Sequence, residues 1–183
     1  MKFKAEMFNR KAADPENKPD QVIEALKLQR GNQVADIGSG GGYYTFRFAQ
    51  IVGKQGKVYA VDTNSQLLEH VESTGRQKGL TNVSTVLTGE GKLPSSGIDC
   101  IFMRNVTHHL KDRVEFFKDL KKYLKPEGRV AIIDYSCQHK SLRTRKHYIA
   151  RDTIITEMLA AGFRLEEEYG WLKNQHFTIY RMR

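Results

Sequence analysis

The sequence predicts an α/β fold in which a mostly parallel, doubly wound sheet is covered by helices on both faces. Short apolar runs alternate with helical segments of about ten to fifteen residues, the spacing of right-handed crossovers between parallel strands. The first strand run, at 34–37, is apolar and bounded by glycines, as expected for a strand buried on both faces. Only the last two strand-like runs lack a helix between them, which allows an antiparallel hairpin at the end of the chain.

The first half of the chain predicts a polar arm followed by alternating helices and strands. Residues 1–19 lack steady periodicity, which predicts an extended or loosely helical arm. A helix follows Pro19 and is expected to end at Gly31, which would supply a left-handed cap. The elements expected next are a strand at 34–37, a helix at 44–52, a strand at 57–62, a helix opened by a capping box from Thr63 to Gln66, and a strand at 82–88.

The second half predicts two more strands of the parallel sheet and then the hairpin. Apolar residues at helical spacing between Phe116 and Leu124 predict a helix that stops at the turn 125–128. The other expected elements are strands at 98–103 and 129–135, a helix at 153–161, and strand-like runs at 163–172 and 176–183. Asp99, at the start of its strand, and Cys100 are expected to be structural rather than catalytic.

Composition excludes several classes of protein. The chain has 183 residues, 39% of them hydrophobic and 28% charged, with two cysteines. These proportions exclude disordered, collagen-like and disulfide-scaffold chains. Cys100 and Cys137 cannot form a four-thiolate zinc site. We expect one domain over residues 1–183, with 1–19 as an arm or lid, and a cytoplasmic protein, because no membrane-spanning run or signal peptide is visible.

The charge is unevenly distributed. The formal net charge is +9, and most of the excess lies in residues 100–183, including the basic run Lys140, Arg143, Arg145 and Lys146. Such a field attracts anionic substrates or nucleic acid. A nucleic-acid partner stays open on this ground but is not favoured, and the oligomeric state is left undetermined.

The most informative residues follow the first predicted strand, where the chain reads Asp36-Ile37-Gly38-Ser39-Gly40-Gly41-Gly42. A strand running into a glycine-rich turn and then a helix lets a nucleotide-like ligand approach the backbone. The dinucleotide fingerprint needs a third glycine at position 43, which is Tyr43. A nicotinamide dehydrogenase is therefore disfavoured. An acidic first position suits a ligand that carries an ammonium group.

The run fits D-x-G-x-G-x-G, and here the chain resembles the class I S-adenosylmethionine-dependent methyltransferases. Asp62 ends the second strand, where that family places the carboxylate that binds the ribose hydroxyls. Residues 89–94 resemble the family's G-D-A-x-x-L-P stretch, with Glu90 in the acidic position. The resemblance covers residues 20–183 and is strongest to the small group that includes the ubiquinone and menaquinone biosynthesis C-methyltransferases. It implies a Rossmann-like sheet of order 3-2-1-4-5-7-6, with strand 7 antiparallel.

The same resemblance implies S-adenosylmethionine as the cofactor and a set of residues that bind it. The predicted cofactor-binding residues are Asp36, Gly38, Ser39, Gly40, Gly42, Asp62, Thr63, Glu90, Gly91, Arg104 and Asn105. In this family the N-terminal segment commonly forms a lid, and the residues expected to fold over the cleft are Phe3, Phe8, Lys18 and Pro19.

Methyl transfer from S-adenosylmethionine requires little from the protein beyond holding the acceptor in line with the methyl group and the departing sulfur. Candidate catalytic residues follow strands four and five, and they are His108, His109 and Tyr135. The histidine pair either shapes the loop beside the cofactor or contacts the acceptor. His139 and His147 lack an acidic partner at ligand-like spacing, so no metal site is predicted.

The predicted function is methyl transfer from S-adenosylmethionine to a small-molecule acceptor by in-line displacement. Two alternatives stay open. One is an RNA or protein methyltransferase that docks its substrate on the basic C-terminal half, and the other is a protein that binds S-adenosylmethionine without turnover.

Overall fold

A computed structural model describes residues 2–88, 92–94, 96–136 and 148–183. The strands are β1 (Gln33–Ile37), β2 (Lys57–Asp62), β3 (Val83–Leu87), β4 (Ile98–Arg104), β5 (Leu124–Tyr135), β6 (Phe163–Tyr169) and β7 (Gln175–Met182). The α-helices are α1 (Lys2–Ala13), α2 (Pro19–Ala25), α3 (Tyr43–Val52), α4 (Ser65–Gln77), α5 (Arg113–Leu120) and α6 (Arg151–Ala160). Short 3-10 helices lie at Pro15–Asn17 and Thr107–His109.

The seven strands form one sheet in the order β3-β2-β1-β4-β5-β7-β6. Neighbouring strands from β3 to β5 are parallel, and β7 is antiparallel to both β5 and β6. The predicted fold class and strand order are therefore confirmed. The order reverses between β1 and β4, and in open α/β sheets the carboxyl ends of strands at such a point bound a ligand crevice.

Each face of the sheet has its own apolar core. On one face, Phe102 of β4 packs with Tyr44 and Phe48 of α3, and the Phe48 and Phe102 ring centroids are 5.3 Å apart. On the other face, Ile101 of β4 packs in a cluster that includes Phe117 of α5. Burial on both faces explains why the central strand β4 is largely apolar without alternation.

The arm predicted at residues 1–19 is more regular than its sequence indicated. Residues 2–13 form the 12-residue helix α1, and Ala5 and Ala12 are buried. Helix α1 packs against α3, α4 and the 3-10 helix at Pro15–Asn17. A helix that packs through alanines has a weak hydrophobic pattern, so periodicity did not reveal it.

Three predicted helix boundaries are wrong, and the third is the end of α5, which lies at Leu120 and not after Leu124. Helix α2 ends at Ala25 rather than at Gly31, because Lys27 has a left-handed φ of 49° and turns the chain out of the helix. Helix α4 is capped by Asn64, whose side chain accepts hydrogen bonds from two amides of the first turn, and not by Thr63. Asparagine is among the strongest N-cap residues, and here it outcompetes the neighbouring threonine.

The turn predicted at residues 125–128 belongs to a strand. Helix α5 ends at Leu120, and β5 begins at Leu124. The register jumps from the Ile98–Leu124 pair to the Cys100–Arg129 pair, so the segment forms a bulged strand start. A bulge accommodates residues that a regular ladder would exclude, which is how Pro126 is tolerated.

Asp99 and Cys100 have the structural roles expected for them. Asp99 accepts a hydrogen bond from the Gln33 amide at 2.7 Å and pairs with Lys125 Nζ at 2.7 Å. Cys100 is buried in the core. Asp99 thus ties the amino ends of β1, β4 and β5 together, at the edge of the sheet opposite to the ligand crevice.

Candidate functional site

A cavity of about 830 Å³ lies at the carboxyl ends of β1, β2, β4 and β5, within the size range of small-molecule sites. The predicted cofactor residues that line it are Asp36, Gly38, Ser39, Gly40, Asp62, Thr63, Arg104 and Asn105. The catalytic candidates His108, His109 and Tyr135 line the same cavity. The fold thus brings together residues from four strand ends that are far apart in the sequence.

Three predicted residues do not appear in this lining. Gly42 has a φ of 86°, and a Cβ there would lie 2.8 Å from the Phe46 ring. A residue without a side chain is therefore needed there to open helix α3. A contact of Gly42 with the cofactor stays a prediction. Glu90 and Gly91 lie outside the described residues.

The basic run Lys140 to Lys146 also lies outside the described residues, as do Cys137, His139 and His147. The charge-based expectations that rest on this segment therefore stay predictions.

The glycine loop is fixed by contacts with two neighbouring strands. Val61 of β2 bonds its backbone, and Val106, just after β4, packs against it. The Gly38 and Ser39 amides both donate to the Val61 carbonyl, at 2.7 and 3.1 Å. A Cβ at Gly38 would lie 2.1 Å from Cγ2 of Val106. Only glycine therefore allows the turn after β4 to close against the loop, while φ values of 76° and 55° at Gly38 and Gly40 shape the turn itself.

Asp62 is oriented by the loop it faces. Its Oδ2 accepts a hydrogen bond from the Gly40 amide at 3.0 Å, and its Oδ1 accepts one from the Asn64 amide at 3.0 Å. A carboxylate has about four lone-pair positions, so two more hydrogen bonds can be accepted. The carboxylate is thus positioned to bind two vicinal hydroxyl groups at the rim of the cavity.

Asp36 is a buried carboxyl group at the base of the loop. It is 3% exposed and accepts a hydrogen bond from the Thr45 hydroxyl at 2.6 Å. Burial raises the pKa of Asp36 to about 7, although the hydrogen bond from Thr45 and the charge of Arg104 act in the opposite direction. A ligand ammonium group placed beside it would stabilise the ionised form.

Taken together, these groups fit S-adenosylmethionine. Asp36 suits the amino group of its methionine end, and Asp62 suits the ribose hydroxyls. Ser39 Oγ is buried and has no hydrogen-bond partner within the described part of the chain. Buried polar atoms are normally paired, so this hydroxyl is available to a polar group of the ligand.

Helix α1 is bonded directly to the glycine loop through Asn9, a residue that the sequence reading missed. Asn9 Nδ2 donates to the Gly41 carbonyl at 2.9 Å, and Asn9 Oδ1 accepts from the Tyr43 amide at 3.1 Å. A Cβ at Gly41 would lie 2.3 Å from the carbonyl oxygen of Ala5. The glycine at position 41 therefore serves the docking of α1, and no pattern within α1 signalled this partner.

Of the four residues expected to cover the cleft, one does so. Phe8 lines the cavity. Phe3 is 73% exposed, Lys18 lies over the Trp171 ring, and Pro19 begins α2. The covering element is thus α1, and Lys4, Asn9 and Lys11 also contribute to the lining.

The end of β4 presents a strained asparagine to the cavity. Asn105 has a left-handed φ of 56°, and its amide donates to the Ile133 carbonyl at 2.8 Å. Gln175, at the start of β7, donates from Nε2 to Asn105 Oδ1 at 2.6 Å. Because the Asn105 oxygen is engaged in this way, its Nδ2 group is the donor left for a ligand.

His108 forms a buried pair with Asp134, the penultimate residue of β5. The His108 Nδ1 to Asp134 Oδ1 distance is 2.7 Å, and the side chains are 4% and 0% exposed. Asp134 also accepts hydrogen bonds from the Thr107 hydroxyl and from the Tyr135 amide. Burial alone would raise the pKa of Asp134, but the hydrogen bonds from His108 and Thr107 outweigh it and hold the pKa below its ordinary value.

Comparison with known proteins places the chain in a class. Residues 28–175 match the profile of a family described as a methyltransferase domain. The ubiquinone/menaquinone biosynthesis C-methyltransferase of Pseudomonas paraeruginosa is 34% identical over 133 residues, which make up 69% of this chain and 50% of that protein. The protein-L-isoaspartate O-methyltransferase of Methanococcus aeolicus is 43% identical over 75 residues, 41% of this chain and 34% of that protein.

The fold has a counterpart among solved structures. A S-adenosylmethionine-dependent methyltransferase from Aquifex aeolicus superposes with a TM-score of 0.88 and 24% sequence identity, covering 98% of this chain and 97% of that one. The chain therefore belongs to the methyltransferase domain family, and the resemblance to class I S-adenosylmethionine-dependent enzymes is confirmed. S-adenosylmethionine is the cofactor of that class, as predicted.

The chain spans about half the length of the C-methyltransferase it matches. Within the described residues, no helix has the length and apolar character needed to span a membrane.

Proposed function

We propose that this chain transfers a methyl group from S-adenosylmethionine to a small-molecule acceptor. The observation that carries the proposal is the pair of carboxyl groups beside the glycine loop. Asp36 is buried beneath the loop, and Asp62 is hydrogen-bonded to it at the rim. One suits an ammonium group and the other a diol. Position 43, where the dinucleotide fingerprint needs its third glycine, is Tyr43.

The residues proposed to hold the cofactor are Asp36, Gly38, Ser39, Gly40, Asp62, Thr63, Arg104 and Asn105, all of which line the cavity. Glu90 and Gly91 remain predicted members of the same set. When bound, the cofactor supplies a methyl group already activated by its sulfonium. The protein's task is then to hold the acceptor in line with that methyl group and to keep water away.

A small acceptor fits the enclosure that the described residues form. Helix α1 covers the cavity with Phe8 and is bonded to the glycine loop through Asn9. Aromatic side chains from other elements, among them Tyr43 and Phe116, contribute to the walls. The similar C-methyltransferase carries a biosynthetic name, in keeping with a compact acceptor rather than a macromolecule. The single-domain organisation and the cytoplasmic location stay predictions.

Calorimetric titration of the full chain with S-adenosylhomocysteine tests the cofactor half of the proposal. We expect saturable binding with one site per chain. No detectable heat at high micromolar ligand would contradict it. Transfer of a labelled methyl group to a panel of small acceptors tests the second half, and it separates an enzyme from a protein that only binds the cofactor.

A further inference from the structure

Helix α1 presents one aromatic ring and two lysines to the cavity. Lys4, Phe8 and Lys11 all contribute to the lining. Residues three and four positions apart lie on the same face of a helix. A Cβ at Gly40 would be 3.5 Å from Phe8, so this ring lies against the glycine loop. The two lysines therefore stand one helical turn to either side of a ring that touches the proposed cofactor site.

The positive charges of these lysines are not compensated by the protein. Within the described part of the chain, neither Lys4 nor Lys11 forms an ion pair, and both residues are exposed. Lys4 Nζ lies 5.8 Å from the centroid of the Phe8 ring, whose face attracts a cation. The one acidic residue of α1 is Glu6, and its spacing from Lys4 places it on a different face. Two cations are thus available at the cavity.

The other charges of the cavity suit the cofactor. The charge of Arg104 acts on Asp36, so these two residues match the carboxylate and ammonium groups of the methionine end. Besides the histidines, the described lining holds three cations and two carboxyl groups. S-adenosylmethionine adds a further net positive charge, because its sulfonium and ammonium outnumber its one carboxylate. With the cofactor bound, the cavity therefore carries an excess of positive charge.

We propose that the methyl acceptor is an aromatic carboxylate, and that Lys4 and Lys11 bind its carboxylate group. The inference rests on the proposed function and deepens it by naming the class of acceptor. The two lysines are about 10 Å apart along the helix axis, a gap that two long and flexible side chains can close on one anion. The aromatic residues of the lining, among them Phe8, Phe116 and Tyr135, suit the ring of such an acceptor.

The same charges disfavour the other classes of small acceptor. An aliphatic amine is protonated near pH 7, so the excess of positive charge would repel it. A neutral acceptor would leave both lysines without a partner. The carboxylate of the cofactor itself is the competing occupant, but Arg104 at the end of β4 already lies beside Asp36, whereas the lysines lie on α1. An anionic acceptor is the ligand that neutralises what the cofactor leaves.

The test compares two probes of similar shape and different charge. Equilibrium dialysis of the full chain, saturated with S-adenosylhomocysteine, measures the dissociation constants of 2-naphthoate and of the neutral 2-naphthylmethanol. S-adenosylhomocysteine lacks the sulfonium charge, so any preference for the anion comes from the protein. We expect naphthoate to bind about three- to tenfold more tightly at low ionic strength, the scale of two exposed charge contacts. The preference should shrink as salt is added.

The double variant Lys4→Gln, Lys11→Gln should bring the two dissociation constants close to each other. Glutamine has nearly the helix propensity of lysine, so α1 should be retained, and thermal melting checks this. The matched control is Arg10→Gln, which removes a positive charge from the same helix at a residue absent from the described lining. The control should keep the preference of the wild type.

Equal binding of the two probes to the wild type, no binding of naphthoate, or a preference that the double variant retains would overturn the inference. Calorimetry with S-adenosylhomocysteine on the same samples identifies the reason. A double variant that keeps the preference but binds S-adenosylhomocysteine more weakly would assign the lysines to the cofactor instead. If the wild type does not bind S-adenosylhomocysteine, the proposed function fails, whereas binding without a preference for naphthoate refutes only the class of acceptor.

Discussion

The carboxylate of Asp62 accepts a hydrogen bond from the backbone amide of Gly40, so the rim of the cavity and the glycine loop support each other. The two residues are 22 positions apart, and the parallel pairing of β1 with β2 brings them together. A mutation at Asp62 therefore removes a support of the loop and, if the proposed function holds, a contact to the ligand.

We expect Asp62→Ala to weaken binding of S-adenosylhomocysteine by about 1 to 3 kcal/mol, the scale of hydrogen bonds to a charged acceptor. Calorimetric titration measures this loss. Asp119→Ala is a matched control, because Asp119 is exposed on α5 and pairs only with Lys122 among the described side chains. Equal affinities for Asp62→Ala and wild type would remove Asp62 from the site.

Asp36→Asn should stabilise the ligand-free protein and weaken cofactor binding. Burial raises the pKa of Asp36 from its ordinary value of 3.8 to about 7. The folded state therefore holds this proton more tightly than the unfolded state, so stability falls as pH rises from about 4 towards 7. The asparagine variant lacks this loss. Thermal melting between about pH 5 and pH 8 should show a gain for the variant that grows with pH.

The same group predicts a pH dependence of binding. An ammonium group binds best to ionised Asp36, so the affinity of the wild type for S-adenosylhomocysteine should rise as pH increases through about 7. The Asp36→Asn variant should bind more weakly and lose this rise. An identical pH profile in both proteins would show that Asp36 does not contact the ligand.

Gly41→Ala should detach α1 from the glycine loop, because the new Cβ would lie 2.3 Å from the Ala5 carbonyl oxygen and 2.5 Å from Asn9 Oδ1. Hydrogen exchange in residues 2–13 should become faster. Gly75→Ala is the matched control, since the nearest atom to its Cβ is 3.8 Å away on Phe46. Gly75 lies in the last turn of α4, so that change should stabilise the protein by no more than about 1 kcal/mol. Unchanged exchange in Gly41→Ala would refute the docking role.

Two substitutions at Asn105 distinguish the contribution of its left-handed backbone conformation from that of its side chain. Asn105→Gly keeps the left-handed φ without strain but removes the side chain and its hydrogen bond from Gln175, so it should lower cofactor affinity with a small loss of stability. Asn105→Ala should lower stability by about 1 to 2 kcal/mol more than Asn105→Gly, because alanine is strained at this φ. If Asn105→Gly binds S-adenosylhomocysteine as well as the wild type, the Asn105 amide is not a ligand contact.

The central strands β1 and β4 were predictable because each is a mostly apolar local run that can be recognised without knowing its partner. The helix boundaries that were predicted wrongly depended on which of two nearby residues caps or ends the helix. Asn64, and not Thr63, caps α4, and α2 ends near Lys27 rather than at Gly31. The alternative helix ends differ by small free energies, and a pattern of residue types cannot tell them apart.

The residues of the glycine loop and the carboxyl groups at the strand ends could be named from the sequence, because their spacing along the chain is itself the signal. The partners of those residues could not. Asn9 reaches Gly41 across 32 positions, His108 reaches Asp134 across 26, and Gln175 reaches Asn105 across 70. In none of these pairs does the type of one residue indicate which residue is its partner.

The sequence by itself determined the order of the elements, the doubly wound sheet and the class of ligand, because hydrophobic runs, glycines and acidic strand ends act locally. The tertiary structure alone decided how the cavity is covered and which histidine is held by a carboxylate. The physical reason is that both depend on packing between elements. Helix α1 docks through alanines and one amide, and His108 meets Asp134 only where β4 and β5 lie side by side.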